Sequence, residues 1–461
     1  MAGAQALPRP RARLLGPQRR RSRESAPVHW WVHHRLWLPA VLGAVVGTAL
    51  ALLLVKPPRP IAGVLSGVAW QTTTSEARQM LSTTLGIALS SLSIVLSLSM
   101  LVAQNAAAQY SPRLLRMYLH SAGSRVVLPV FVATSVFCLV AAHAFGLSPE
   151  NVREPRPALA LAMLLLVACE AALIFQVLHT LQRMRVENLV QRVRHATLDV
   201  ARRLTSVPAE TLESSPPRSA STPSPLRIRR SGFVVAVDTR ALLTLATERR
   251  LVIHLERAIG EPVVRGEDVG WLEYEPPASD ASPESTERHV LHAIRVDRWR
   301  DEDQDITLGI RQLVDVAIKA LSPGINDPYT AVEAVDQLTL LLCELGQLPL
   351  GSRVLTDASG TPRVFLRGPT LRDCLELATD QILRYGKGEP AVVLHLLRLA
   401  ACVAQRARQV EDRRAARARL HTLLDTTEPT APWQPLLRRY ADALERALDG
   451  GAWPALPAIG F

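Results

Sequence analysis

Gln312 to Leu338 reads QLVDVAIKALSPGINDPYTAVEAVDQL, and the organisation of the second half of the chain follows from it. Apolar residues recur at helical spacing on both sides of a very short connection, so the stretch predicts two helices joined by a turn. The turn is Leu321-Ser322-Pro323-Gly324-Ile325-Asn326-Asp327-Pro328. Pro323 stops the first helix, because it disfavours helical geometry at Ser322 and brings no N–H. Gly324 can take a positive φ without steric cost. Asp327 is placed to cap the second helix, and Pro328 at its first position gives up only an N–H that has no partner there. The same residues allow a second reading. Asn326 and Asp327 beside a helix N-terminus would form a compact polar pocket with exposed backbone donors, facing Asp315 and Lys319 on the helix before. Ser322, Pro323, Gly324, Asn326, Asp327 and Pro328 are therefore one candidate site, in competition with a purely architectural role.

Working outward, the two helices are read as Ile306–Leu321 and Pro328–Leu345. The acidic run Asp301–Asp305 fails a calcium-loop pattern, with Ile306 where Gly is needed and Gln312 where Glu is needed. It is read as an acidic N-terminus that favours the helix dipole. After Pro349 comes a hairpin, Val354–Asp357 and Arg363–Leu366. Helices are predicted at Leu371–Tyr385, at Ala391–Leu424 with one break, and at Trp433–Leu448. Upstream, Gly232–Glu275 reads as short strands around a helix at Thr239–Arg249, and His289–Val296 fits either strand or helix. That spacing is similar to the small barrel-sandwich of biotinyl and lipoyl carrier domains. The region holds no lysine, which excludes a carrier role.

The first half is different. Leu36–Val55, Met80–Ala103, Val126–Phe145 and Ala158–Leu181 are four apolar runs of about 20 residues, enough to cross a ~30 Å hydrocarbon core. Trp30, Trp31 and Trp37 suit the headgroup level, and His29, His33 and His34 beside them lack the acid or thiol a metal cluster would need. Arginine crowds the arm before the first run, the loop after the second and the segment after the fourth, whereas the loop after the third balances Arg153 and Arg156 against Glu150 and Glu154, and the loop after the first holds Lys56, Arg59 and Arg78 against Glu76. The positive-inside rule puts both termini in the cytoplasm. Past the fourth run, Val186, Val190, Val193, Thr197, Val200 and Leu204 form a heptad stripe that must bury against a second copy or against the soluble part.

The fold class is thus mainly α: a four-helix transmembrane bundle, then a cytoplasmic α+β domain with a small β-barrel or sandwich-like unit and a helical C-terminal part. The expected boundaries are a disordered basic arm at 1–35, spans at 36–182, a helical extension at 183–206, a Pro/Ser linker at 207–230, the β-rich unit at 231–276 and the helical domain at 287–449. Of the cationic side chains only Lys56, Lys319 and Lys387 are lysine, a bias expected of a GC-rich genome, so no arginine is singled out as a phosphate ligand. The five cysteines are widely spaced and form no CxxC, which argues against disulfides and zinc. No phosphate loop, HExxH, GxSxG or Cys/His pair is present, so no enzyme activity and no cofactor are expected. The basic arm suits anionic lipid better than nucleic acid.

Three stretches carry a family resemblance: DITLGIRQLVDVAIKALSPGINDPYTA at 305–331, AQNAAAQYSPRLLRMYL at 103–119 and SGFVVAVDTRALLTLA at 231–246. They closely resemble the bacterial membrane-protein family catalogued as domain of unknown function 2254, in that family's order. The resemblance implies four spans with a cytoplasmic domain in the bacterial inner membrane, and no catalytic residues.

Two functions remain in competition. Glu170, mid-span, with Gln176 and His179 below it and Ser93 and Ser97 on the second span, would suit an oligomeric channel or transport-related protein, since an ionisable group inside a membrane is a functional candidate by default. The bland alternative is Glu170 hydrogen-bonded to a second-span serine, locking the bundle. Otherwise the spans are an anchor, and the cytoplasmic domain senses a ligand or scaffolds a partner through the 322–328 turn. The expected partners are the lipid bilayer, a second copy of the chain and an unidentified ligand or protein.

Overall fold

The computed structural model describes residues 26–55, 69–109, 122–147, 154–183, 186–206, 209–212, 224–275, 282–427 and 431–460. The arm at 1–25, most of the 103–119 motif and the side chains of residues 26–37, with the tryptophans and histidines read above, lie outside that description. The chain divides into two compact units, Met1–Ser97 with Ser121–Val177, and Leu98–His120 with Leu178–Phe461.

In the first unit, α1 (Ala26–Val55), α2 (Thr74–Gln109), α3 (Ala122–Phe145) and α4 (Pro157–Arg183) each contain a window long and apolar enough to cross a membrane. These windows are Leu38–Val55, Thr74–Leu101, Val127–Phe145 and Pro157–Leu178. Leu42, Ile94, Leu139 and Leu164 are all more than half exposed, the reverse of a water-soluble bundle. The inner faces are built from small residues. Gly43 and Gly47 on α1 bring their backbone against Pro129 and Ala133 of α3, a Gly-x-x-x-Gly crossing. On α2 the buried residues are Ala77, Leu81, Thr84, Ala88, Ser91 and Val95, a 4-3-4-3-4 stripe. Thr48, Thr84 and Thr134 return their hydroxyls to carbonyls four residues back, so none is left unsatisfied in the apolar layer. Two interhelical loops pair as an antiparallel ribbon of β1 (Trp70–Thr72) and β2 (Glu154–Arg156). Buried Arg156 fastens it, donating to the Thr72 carbonyl (3.2 Å) and to Thr74 Oγ1 (3.0 Å) and lying over the Phe145 ring.

The second unit holds two cores. The helical one gathers α5 (Val186–Thr205), α8 (Ile306–Ala320), α9 (Pro328–Leu345), α10 (Leu371–Gly386), α11 (Pro390–Arg406), α12 (Val410–Asp425) and α13 (Gln434–Leu448). The heptad stripe buries here: α5 packs on α8 and α9, and Thr197 sits against Gly309 at the crossing with α8. Helices of the second unit, rather than a second copy, cover that stripe. The other core lies under α6 (Thr239–Arg249) and α7 (Pro283–His292) and two open sheets. The six-stranded sheet has the order β3 (Glu210–Leu212), β10 (Ser352–Thr356), β11 (Pro362–Leu366), β6 (Leu251–Leu255), β8 (Asp268–Tyr274), β4 (Ser224–Arg227). The three-stranded sheet has the order β7 (Pro262–Val263), β5 (Gly232–Val237), β9 (Ile294–Asp297). No closed barrel exists among the described residues. The hairpin β10–β11 joins the earlier strands through a parallel pairing of β11 with β6, and β3 and β4 come from within 207–230.

His254 holds the middle of the larger sheet. Its ring is stacked between Trp271 and Phe365, its cross-strand neighbours, at centroid distances of 4.7 and 4.5 Å. Burial lowers its pKa below the ordinary 6.5, against a smaller opposing pull from Glu273. The unfolded chain therefore takes up a proton that the native ring refuses. The contribution is complete above about pH 6.5 and is lost as pH falls below that value. His254→Phe, which keeps the stack, is expected to flatten the acid side of a Tm-against-pH curve.

Candidate functional site

The central turn forms as local chemistry demands. Asp327 caps α9, accepting from the Thr330 N–H (3.1 Å) and hydroxyl (2.6 Å). The positive φ falls on Asn326 (φ 50), not on Gly324, which corrects the expectation above. Asn is one of the few non-glycine residues that tolerates this region, and Asn326 spans the step between the Ser322 turn and the cap. The Ile325 and Asn326 N–H groups both donate to the Ser322 carbonyl, and the Asp327 N–H donates to Ala320. Ser322 Oγ donates to the Lys319 carbonyl. The backbone donors are thus consumed inside the turn, and Pro323, Gly324, Ile325 and Asn326 stand exposed. Asp315 pairs with Arg311 on its own helix (3.0 Å).

Within the spans, Glu170 Oε1 accepts from Ser91 Oγ at 2.9 Å. Ser93 and Ser97 are on the exposed face of α2. Cys169 donates to Thr134 Oγ1 across α3 and α4 (3.3 Å). Gln176 is buried on the Cys169 face, seven residues on, and among the described residues neither its Oε1 nor Ser135 Oγ has a partner. His179 lies on α4, its side chain outside the described residues.

A different feature of the second unit has the form of a binding site. A cleft with a cavity volume of about 80 Å³, partly open to solvent, lies where the helical core meets the sheets. Its walls are the end of α5 (Leu204, Thr205), the loop into α6 (Val237, Thr239), the segment after β6 (Leu255 to Ile259), the start of α8 (Gln304 to Thr307), and the loops flanking the hairpin (Pro349 to Arg353, Leu366 to Pro369). The enclosed space is smaller than a drug-sized pocket, but an apolar lining with a few polar groups is typical of ligand sites.

Each polar group is fixed by its own element. Asp305 caps α8 through the Leu308 N–H (3.0 Å), and Arg300 grips both its oxygens (2.7 and 2.8 Å). Asp305 is therefore neutralised, and the first turn of α8 presents the positive end of the helix to the cleft. Gln304 Oε1 accepts from the Val237 N–H (3.1 Å), which holds the α8 entry on β5. Arg257 pairs with Glu267 and with Glu261 (3.5 Å), and Arg367 lies 3.9 Å from Glu261. Arg353 differs from these. Its guanidinium donates to the Leu204 carbonyl at the C-terminus of α5, no carboxylate among the described residues is paired with it, and burial lowers its pKa. It is a half-buried cation in a cleft wall, beside a helix N-terminus.

Sequence reasoning passed over this site for a physical reason. Its residues come from six separated segments, and in a chain where nearly every cation is arginine none stands out. The one local signal was Gln304-Asp305 ahead of α8, read above only as part of an acidic run.

Relatives share most of the chain. It is 28% identical over 420 residues to the uncharacterized protein Rv1290c of Mycobacterium tuberculosis (strain ATCC 25618 / H37Rv), covering 90% of this chain and 79% of that protein. The same figures hold for the uncharacterized protein Mb1321c of Mycobacterium bovis (strain ATCC BAA-935 / AF2122/97). No solved structure matches significantly. The family match runs over residues 33–401, taking in all four spans, the turn and the cleft. The chain belongs to the family described as predicted membrane protein (DUF2254).

Proposed function

We propose that this is a multi-pass protein of the bacterial inner membrane, with both termini in the cytoplasm, that acts as a membrane-anchored sensor of a small anion. The observation that carries the reading is Arg353. An unpaired charge taken out of water costs several kcal/mol, and a bound anion would remove that cost through charge-assisted hydrogen bonds. The start of α8, Thr205 and Thr239 would add donors, and the apolar wall of Leu255, Ile259, Leu350 and Leu366 would take a non-polar part of the ligand. The full chain in detergent, melted with millimolar phosphate, pyrophosphate or citrate, is expected to gain several degrees with at least one of them. Saturation at about 100 Kd is worth about 2.7 kcal/mol. Arg353→Gln should remove the gain, and Arg353→Met, apolar and of similar bulk, should raise the melting temperature without ligand. If no anion shifts the melt, or Arg353→Gln responds like the unaltered chain, the reading fails.

A second reading, transport through an oligomeric bundle, draws on Gln176 Oε1 and Ser135 Oγ, which lack a partner among the described residues, and on the Ser91–Glu170 pair. Polar atoms without partners in an apolar layer invite water or a passing solute. Glu170→Gln keeps an acceptor for Ser91 and so leaves stability unchanged. Under this reading it should lower ion or solute flux in proteoliposomes at least tenfold, and unchanged flux rules it out at that residue.

A further inference from the structure

The 321–328 turn contributes nothing to the cleft, yet its place in the second unit is specific. Helix α5 runs parallel to α9. Burial, and after it the charge of Glu187 near the start of α5, raises the pKa of Glu333 near the start of α9. Towards their far ends, Arg194 (3.1 Å) and Arg202 (3.0 Å) both pair with Glu344. Helix α5 runs antiparallel to α8, with Thr197 against Gly309 and Leu204 across the cleft from Ile306. Val186, Ala320 and Pro328 therefore share one end of the helical core. The C-terminus of α10 joins them, because a Cβ on Gly386 would meet Leu321 Cδ1 at 3.0 Å.

This end is tethered by the covalent chain. The fourth apolar window ends at Leu178, helix α4 at Arg183, and α5 starts at Val186. Five helical steps and three extended ones put Val186 no more than about 18 Å from Leu178. A headgroup layer some 5–8 Å deep takes up much of that length. The end also has the composition of a membrane interface. Ile325 (40%), Tyr329 (62%) and Tyr385 (58%) are its exposed apolar and aromatic side chains. Lys319 and Lys387, two of the chain's three lysines, are exposed beside them, and Arg384 lies over the Tyr385 ring. Tyrosine favours the headgroup level, and long cations there reach lipid phosphates. Of the acids at this end, Asp327 is spent on its cap, Glu333 and Glu389 are half-buried, and Glu187 is exposed against the three cations Lys319, Arg384 and Lys387.

We propose that the 322–329 turn and the α10 terminus form a surface that rests on the lipid headgroups. The two-proline, single-asparagine turn is then a rigid foot that presents Ile325 and Tyr329 at this end of the helical core. The test uses the full chain in nanodiscs doped with a nickel-chelating lipid, in a Cys402→Ala background so that every remaining native cysteine is buried. Single substitutions Tyr329→Cys and Gln347→Cys, about 27 Å apart along α9, are labelled with a fluorophore. The expected result is headgroup-nickel quenching several-fold stronger at position 329 than at 347, together with weak quenching at 329 by a dissolved nickel chelate. Equal headgroup quenching at the two positions overturns the proposal. So does a label at 329 shielded from both forms of nickel, because a second copy or another protein would then cover the face. Neither outcome bears on anion binding in the cleft.

Discussion

Gly309→Ala is expected to cost the helical core about 3 kcal/mol, at the upper end of the usual range for overpacking. A Cβ there would lie 1.8 Å from Thr197 Oγ1 and 2.8 Å from Thr197 Cβ. Thr197 cannot swing aside easily. It is buried, β-branched, and its hydroxyl is bonded to the Val193 carbonyl at 2.7 Å. Relief requires α5 to back away from α8, which would also open the end of the cleft formed by Leu204 and Thr205. The melting temperature of the second unit should fall by roughly 6–12 °C, taking 2–4 °C per kcal/mol. Adding Thr197→Ala should recover part of the loss, since it removes the closer of the two contacts, and the double-mutant coupling should exceed about 1 kcal/mol. Strict additivity would mean that the two helices do not meet at this pair.

The second large effect belongs to the spans. In Gly43→Leu/Gly47→Leu the new side chains would start 2.6 Å from the Pro129 carbonyl oxygen and 2.4 Å from that of Ala133. These obstacles are backbone atoms, which cannot rotate out of the way, so α1 must separate from α3. Small-residue crossings of this kind hold helices together in lipid by close van der Waals packing, because no hydrophobic drive is available there. The double substitution should cost about 4 kcal/mol, with the two overpacking terms roughly summed. Cys138 reports on it directly. It is fully buried on α3, in the same cluster as Ala51 of α1. In the unaltered protein it should resist maleimide in micelles, and in the double variant it should react readily. Continued protection would show that α1 and α3 do not depend on the glycines.

What could be read from sequence was whatever rests on local chemistry. The start of α9 follows from Asp327 and Pro328, and that of α8 from the end of the acidic run; the observed helices, Ile306–Ala320 and Pro328–Leu345, begin at those points. The four spans follow from length and hydropathy alone. Helical phase was harder. Ser91 and Ser93 look equivalent in a serine-rich run but point about 200° apart, and only Ser91 lies on the buried stripe that meets Glu170. That stripe, Ala77-Leu81-Thr84-Ala88-Ser91-Val95, was available as a heptad pattern, masked by the small polar residues around it. Non-local pairing gave no signal at all. Nothing near Val364 announces that its strand lies parallel to β6, more than a hundred residues upstream. The cleft inherits that difficulty, being assembled from the ends of elements whose neighbours are set by tertiary packing.

Hydrogen exchange on the full chain, read by peptide with and without the anion that shifts its melt, tests the sensor account most directly. The account predicts slower exchange confined to residues 204–206, 304–308 and 349–353, present in the unaltered chain and absent in Arg353→Gln. Protection elsewhere with these segments unchanged, or the same protection in the variant, would contradict it.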